Sequence, residues 1–251
     1  MLASKTEMRN VKSIVLLAAC FLSTHLALTQ SAVAANCTAD FYALGSNQTE
    51  KLFHFNREEV VVGDKTVAKV VTKDLSAKVV VTEELTMQGP RVLKYVQDEK
   101  QTGESGALEV KGDSLVFSYT KNGETKTATE DSPDDLIVPP AIEDFLKRNW
   151  TPILKGDSVS ARFAVLDRKE TVGFKFFKIS ETKFDGQEAI VVKMKPTSIV
   201  ISALVDPLLF TMSKDGARTL KMEGRVLAKQ QVDDKWKDLD AEIVYHYGSK
   251  P

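Results

Sequence analysis

Alternating apolar runs that stop at glycine-containing turns constrain this chain more than any other feature. Leu115, Phe117 and Tyr119 alternate with Ser114 and Ser118, Asn122-Gly123 follows, and a threonine-rich run continues from Thr125 to Thr129. Asn-Gly between two β-prone runs selects a two-residue hairpin, because both turn residues must tolerate positive φ. The pattern recurs after residue 155. Val159, Ala161, Phe163 and Val165 share one face, as do Val172, Phe174 and Phe176. Asp185-Gly186 precedes Ala189–Met194, and Asp215-Gly216 separates Leu208–Met212 from Leu220–Ala228. Thr66–Thr72, Lys78–Thr82 and Glu242–Tyr247 complete the set, the first two rich in Val, which packs well on a pleated surface.

Two segments break the alternation. After Pro139-Pro140, residues Ile142, Phe145, Leu146 and Trp150 recur at helical spacing, with Glu143 and Asp144 early and Lys147 and Arg148 late. Proline suits a first helical turn, and this charge order complements the helix dipole. A shorter helix is predicted over Ser198–Val205, stopped by Asp206-Pro207. A polar stretch, Glu124 to Asp135, separates two β halves joined by the helix near residues 139–154. Roughly ten strands and two helices are expected. The fold class is mainly β (α+β): a strongly curved antiparallel sheet or open β-barrel with one or two helices packed against it.

The first 34 residues read as an address. Lys5, Arg9 and Lys12 precede a mostly apolar stretch from Ser13 to Leu28, and Ala32-Val33-Ala34 satisfies the small-x-small rule. This is a secretory signal peptide with cleavage between Ala34 and Ala35, followed by a single periplasmic β-rich domain over residues 35–251. The apolar stretch is shorter than the ~20 residues of a spanning helix, so no transmembrane span is expected in the mature chain. Leu17-Ala18-Ala19-Cys20 also matches a lipobox, and lipidation at Cys20 would tether the domain to a membrane. Cleavage after Ala34 takes three basic residues and one acidic, leaving 31 against 34 and a net charge of −3. That balance offers no basic field for nucleic acid. Cys37 then lies three residues from the new terminus, where disorder concentrates, and reads as an incidental thiol.

Chemistry-bearing patterns are sparse. His54 and His246 each sit on a strand between aromatics, about 190 residues apart, with no metal cluster near either. Gly103-Glu104-Ser105-Gly106 is too short for a nucleophile elbow and reads as a polar turn, and Ser180-Glu181-Thr182-Lys183 lacks its partner motifs. Glu58-Glu59 and Glu83-Glu84 are strand neighbours and point to opposite faces. No catalytic residue, metal site or cofactor is assigned.

The β segments are instead unusually apolar. Phe174, Phe176, Phe177 and Ile179 occupy both faces of one strand, and Ile199–Leu204 with Leu208–Phe210 form a second block. These fill a two-sided core or line a concavity. The candidate lining is Phe163, Phe174, Phe176, Leu204, Leu208 and Phe210. A half-barrel too wide to close is a natural ligand site.

Asn149-Trp150, Phe174-Lys175-Phe176, Asp206-Pro207 and Glu223-Gly224, within about residues 136–230, resemble marks of uncharacterised proteobacterial periplasmic proteins, a domain of unknown function. The resemblance implies a secreted domain, with fold-level similarity to lipoprotein carriers of the LolA/LolB kind. It carries over no binding residue. The expectation is therefore an exported, non-enzymatic domain that binds an apolar ligand, such as a lipid or lipoprotein acyl chain, or a cell-envelope component. A structural or protein-interaction domain without a small ligand is the alternative, and a hydrolase using His54 or His246 is third.

Overall fold

The computed structural model describes residues 32–203 and 205–248. Most of the segment read from the sequence as a signal peptide (residues 1–31), with Cys20, and Leu204 lie outside the described residues. The first eight strands form a continuous meander: β1 (Ala32–Ala43), β2 (Lys51–Val62), β3 (Lys65–Asp74), β4 (Val79–Gln88), β5 (Arg91–Glu99), β6 (Glu104–Lys111), β7 (Ser114–Lys121) and β8 (Glu124–Asp131). Then come β9 (Leu136–Ile137), a 3-10 turn at Pro139–Ala141, α1 (Ile142–Arg148) and α2 (Trp150–Lys155). A second meander follows: β10 (Val159–Val165), β11 (Glu170–Phe184), β12 (Gln187–Pro196), a four-residue α3 (Ile199–Ser202), β13 (Leu208–Ser213), β14 (Thr219–Val232) and β15 (Lys235–Tyr247).

All fifteen strands belong to one sheet. Its order runs from β8 down to β1, then to β15 and down to β9. Every neighbour pair is antiparallel except the short β9–β10 pair. β1 pairs with β15, so the strand order is that of an up-and-down barrel with one seam unpaired, between β8 and β9. The seam is bridged: Thr171 N donates to Glu130 Oε1 across it at 3.0 Å. A second tie holds the β5–β6 turn against β14, where the Gln101 amide exchanges two hydrogen bonds with the Lys229 backbone at 2.8 and 2.7 Å.

An up-and-down barrel of about eight strands can be filled by its own side chains, and fifteen cannot. The chain supplies filler. The apolar stripe of α1 and α2, Ile142, Phe145, Leu146, Trp150 and Ile153, packs on Phe176, Ile190, Val192, Met194, Phe210 and Met212 inside β11–β13. Phe145 and Phe176 stack with centroids 4.9 Å apart. The β4–β7 wall is filled by Leu85, Tyr95, Leu108 and Phe117 against Val138 and Ala141 just before α1. Gly216 sits at φ +73° directly under the Trp150 ring, where a Cβ would lie 2.2 Å from Trp150 Cγ. The Trp150 indole N–H donates to the Lys214 carbonyl in the same turn at 3.1 Å.

Several expectations need correction. There are fifteen strands rather than about ten. β5 escapes because polar residues interrupt its inward face: Gln97 and Glu99 are buried. The Glu104-Ser105-Gly106 segment starts β6 rather than forming a turn, and Gly106 lies under Leu166 and Tyr119. The helix over Ser198–Val205 shrinks to α3, which buries none of its residues; Ile199 is 87% and Val200 72% exposed, so this block is not core. Cys37 is no frayed terminus. It is buried in β1, in register with Arg57 on one side and Tyr247 on the other.

Candidate functional site: an interior cavity with one polar wall

The filler leaves part of the barrel interior open. A cavity of about 1000 Å³ lies between α1 and the inner faces of the sheet. Its shape follows from the amphipathy of α1. The apolar side of the helix is spent on β11–β13, so Glu143, Asp144 and Lys147 on its other side face the remaining space.

One wall is apolar. Phe163 and Phe174 meet edge-to-face with centroids 5.6 Å apart, and Leu208, Phe210, Met222 and Ile243 continue the surface. Gly224 lets the chain close around this wall: its φ is +129°, and a Cβ there would lie 2.5 Å from Leu208 Cδ2. Ile201 of α3 and Val205 border the same space.

The other wall is charged. Arg57 and Glu59 on β2 and Glu83 on β4 point inward opposite α1. The Arg57 side chain is only 16% exposed. Its Nε donates to Glu59 Oε1 at 2.9 Å and its Nη1 to the Pro140 carbonyl at 2.6 Å, which fixes the start of the helix against β2. Burial opposes the guanidinium charge, but Glu59, Asp144 and Glu143 outweigh it and raise its pKa. Lys147 pairs with Glu143 at 2.5 Å. Asp144 Oδ2 is 3.9 Å from Arg57 Nη2, beyond hydrogen-bond reach. Tyr247 OH lies 2.6 Å from Glu143 Oε2 and 2.9 Å from the Thr219 carbonyl.

Two carboxyls on this wall are shifted upward. Burial pushes Glu83 up to about 7, against the Tyr95 hydroxyl, which donates to Oε1 at 2.6 Å, and against Arg57. Burial likewise raises Asp144, although Arg57 and Lys147 oppose it. Glu143 goes the other way: burial would raise it, but Lys147 and Tyr247 hold it below the usual range. Burial and Glu143 push the Cys37 thiol, also on this cavity, up to about 11, so it is a poor nucleophile at neutral pH.

Of the six residues read from the sequence as apolar lining, Phe163, Phe174, Leu208 and Phe210 border the cavity together. Phe176 does not. It is fully buried beneath Phe145, because α1 covers its position on β11. The charged wall was missed. Its signal was present in β2, where Arg57 and Glu59 continue the period-2 face begun by Phe53 and Phe55. The adjacent carboxylate pairs divide between faces, with Glu59 and Glu83 inward and Glu58 and Glu84 outward.

The two histidines meet outside the cavity. Asp40 Oδ1 lies 2.8 Å from His54 Nδ1, and Oδ2 lies 3.4 Å from His246 Nε2; Lys51 shares the same carboxylate at 2.8 Å. β1 holds Asp40 between β2 and β15, which explains how residues so far apart in sequence converge. Both imidazoles are about half exposed on the outer face of the sheet. Among the described residues, no group of three His, Cys, Asp or Glu side chains is arranged to hold a metal ion, and no helix is long and apolar enough to cross a membrane.

No protein-family model matches the chain, and no curated protein matches it by sequence. Solved structures similar to it include a β-barrel-like protein of a domain of unknown function (DUF1849) from Brucella abortus, at 10% identity and a TM-score of 0.43, covering 86% of this chain and 97% of that one. A domain described as an outer membrane lipoprotein-sorting protein, from Vibrio parahaemolyticus, matches at 11% identity and a TM-score of 0.27, covering 85% and 83%. A porin-like protein from Bacteroides uniformis matches at 8% identity and a TM-score of 0.23, covering 85% and 97%.

Proposed function

We propose that this protein is an exported, periplasmic carrier that binds an amphiphile, a lipid or acyl chain with a polar head, inside the open part of its barrel. The observation that carries this reading is the cavity itself. Its volume of about 1000 Å³ lies at the upper end of the roughly 300–1,000 Å³ typical of small-molecule sites. Phe163, Phe174, Leu208 and Phe210 would bury the chain, each Å² of apolar surface contributing roughly 25 cal/mol before the costs of association. Binding of this kind requires no catalytic group, consistent with the histidines lying on the outer face. A structural domain without a ligand would need this space filled, so the open cavity favours the carrier over that alternative.

The test is native mass spectrometry and organic extraction of protein purified without detergent, followed by titration with oleyl alcohol and oleate. A co-purifying amphiphile or saturable one-to-one binding is expected. Finding neither contradicts the reading.

A further inference from the structure

We propose that the rim of the barrel around α3 is a docking surface for an anionic phospholipid bilayer. This goes beyond the carrier reading and does not depend on it.

α3 joins β12 to β13 and presents two side chains to the outside. Ile199 is 87% and Val200 72% exposed, the highest values for large apolar side chains among the described residues. On its other side the same short helix turns Ile201 toward the cavity, with Val205 just beyond. The segment is tied to the sheet: Thr197 N donates to the Gly173 carbonyl at 2.8 Å, and the Ser202 hydroxyl to the Pro196 carbonyl at 3.0 Å. Exposure of this kind extends along one rim. Antiparallel pairing places the β1–β2, β3–β4 and β14–β15 turns at the same end as α3, in neighbouring positions of the strand order. Leu44, Leu75, Val232 and Trp236 are exposed on or beside those turns. Of the turns at the other end, β2–β3 alone carries such residues among the described ones, Val61 and Val62.

Charge identifies the partner. Next to α3, the outer face of β11 and β12 carries Lys175, Lys193 and Lys195, since Phe176, Val192 and Met194 point inward. Lys175 and Lys195 are directly opposite in register, and Lys193 opposes Phe177 and Leu209. Like charges so placed repel, and an anionic cover relieves the repulsion. None of the three lysines makes an ion pair among the described residues, whereas the nearby acids have cations of their own. Glu223, opposite Leu209, pairs with Lys221 at 3.2 Å, and Asp206 lies within electrostatic reach of Arg225. Elsewhere on the rim both signs mix, as at Asp233-Asp234 before Lys235, so the attraction is local to the α3 side. A bilayer surface answers both features. Interfacial binding combines burial of apolar side chains with attraction of basic residues to anionic head groups. Ile199 and Val200 enter the acyl boundary, the three ammonium groups stay at head-group level, and the cavity side of α3 comes to lie beside the membrane.

The experiment is vesicle cosedimentation of the chain from Ala35 onward, which lacks Cys20 and any lipid anchor there. Vesicles of phosphatidylcholine with phosphatidylglycerol are compared with phosphatidylcholine alone. Binding to the anionic vesicles is expected to be at least about tenfold tighter and to weaken with added salt. Ile199→Ser/Val200→Ser should weaken it about tenfold or more, and Lys175→Gln/Lys193→Gln/Lys195→Gln should remove the preference for anionic vesicles. All five positions are exposed or half-buried, so unchanged unfolding midpoints are expected and show that the variants are folded. No binding to anionic vesicles, equal binding to both compositions, or a folded variant that behaves like wild type overturns the proposal. So does a dimer in analytical ultracentrifugation that Ile199→Ser/Val200→Ser dissolves, because a second copy then occupies the face. Titration with oleyl alcohol is a separate readout, so the carrier reading can fail or stand independently.

Discussion

The two sides of α1 divide the barrel into regions of opposite character. Toward β11–β13 the helix presents Ile142, Phe145, Leu146 and Trp150, and the space is filled by packed side chains. Toward β2 and β4 it presents Glu143, Asp144 and Lys147, and a cavity remains. The strands follow the same division: Phe176, Ile190 and Met194 line the first region, Arg57, Glu59 and Glu83 the second. A helix of two turns cannot fill a fifteen-stranded curl. The composition of its two faces decides which half becomes core and which stays available to a ligand.

The largest effect should come from the filled half. Phe176→Ala should cost about 4 kcal/mol in denaturant unfolding, the range for deleting a buried aromatic. A loss below about 1 kcal/mol would show that this half is not packed. Phe163→Ala, on the half-buried cavity wall, should cost distinctly less stability and weaken ligand binding instead.

Glu83 sharpens the comparison through pH. Its carboxyl is raised from an ordinary value of 4.5 to about 7 by burial. As pH climbs from about 4.5 to about 7, the unfolded chain has released this proton and the folded chain retains it. Native stability therefore falls across that window. Glu83→Gln removes the fall and keeps an acceptor for Tyr95, so relative to wild type it should gain up to about 3 kcal/mol between pH 5 and pH 8. Parallel stability profiles for the two proteins would place Glu83 in water rather than on an enclosed wall.

Gly216→Ala tests the closure of α2 onto the β13–β14 turn. The added methyl meets the Trp150 ring at a positive φ, so a loss of roughly 2 kcal/mol is expected in thermal or chemical unfolding. A neutral outcome would mean that Trp150 can leave its seat freely. The smallest effect belongs to the outer face. Asp40→Asn removes an exposed cluster with His54, His246 and Lys51, and should cost less than about 1 kcal/mol without changing ligand affinity.

The hairpin rhythm was legible because its signals are local. Asn122-Gly123 and Asp185-Gly186 form turns with positive φ at both positions, as their chemistry demands. The helix after Pro139-Pro140 was legible for the same reason. β5 was not, because Gln97 and Glu99 occupy inward positions and hide the apolar period. Half of the candidate site was visible in the same way: Phe163, Phe174, Leu208 and Phe210 announce an apolar face. Phe176 could not be told from them, since its cover is a helix remote in sequence. The charged wall depends on which strands face α1 across the barrel, and the meeting of His54 with His246 on the pairing of β1 with both β2 and β15. Those are facts of long-range closure that no local pattern encodes.

The most direct test of the account is a calorimetric titration of oleyl alcohol into the wild-type protein and into Ala228→Phe. Ala228 is buried and borders the cavity, so a phenyl ring there takes up the space proposed for the chain. Saturable one-to-one binding to wild type, weakened at least about tenfold in the variant, is the predicted result. No binding to wild type, or equal binding to both proteins, would contradict a ligand site inside the barrel.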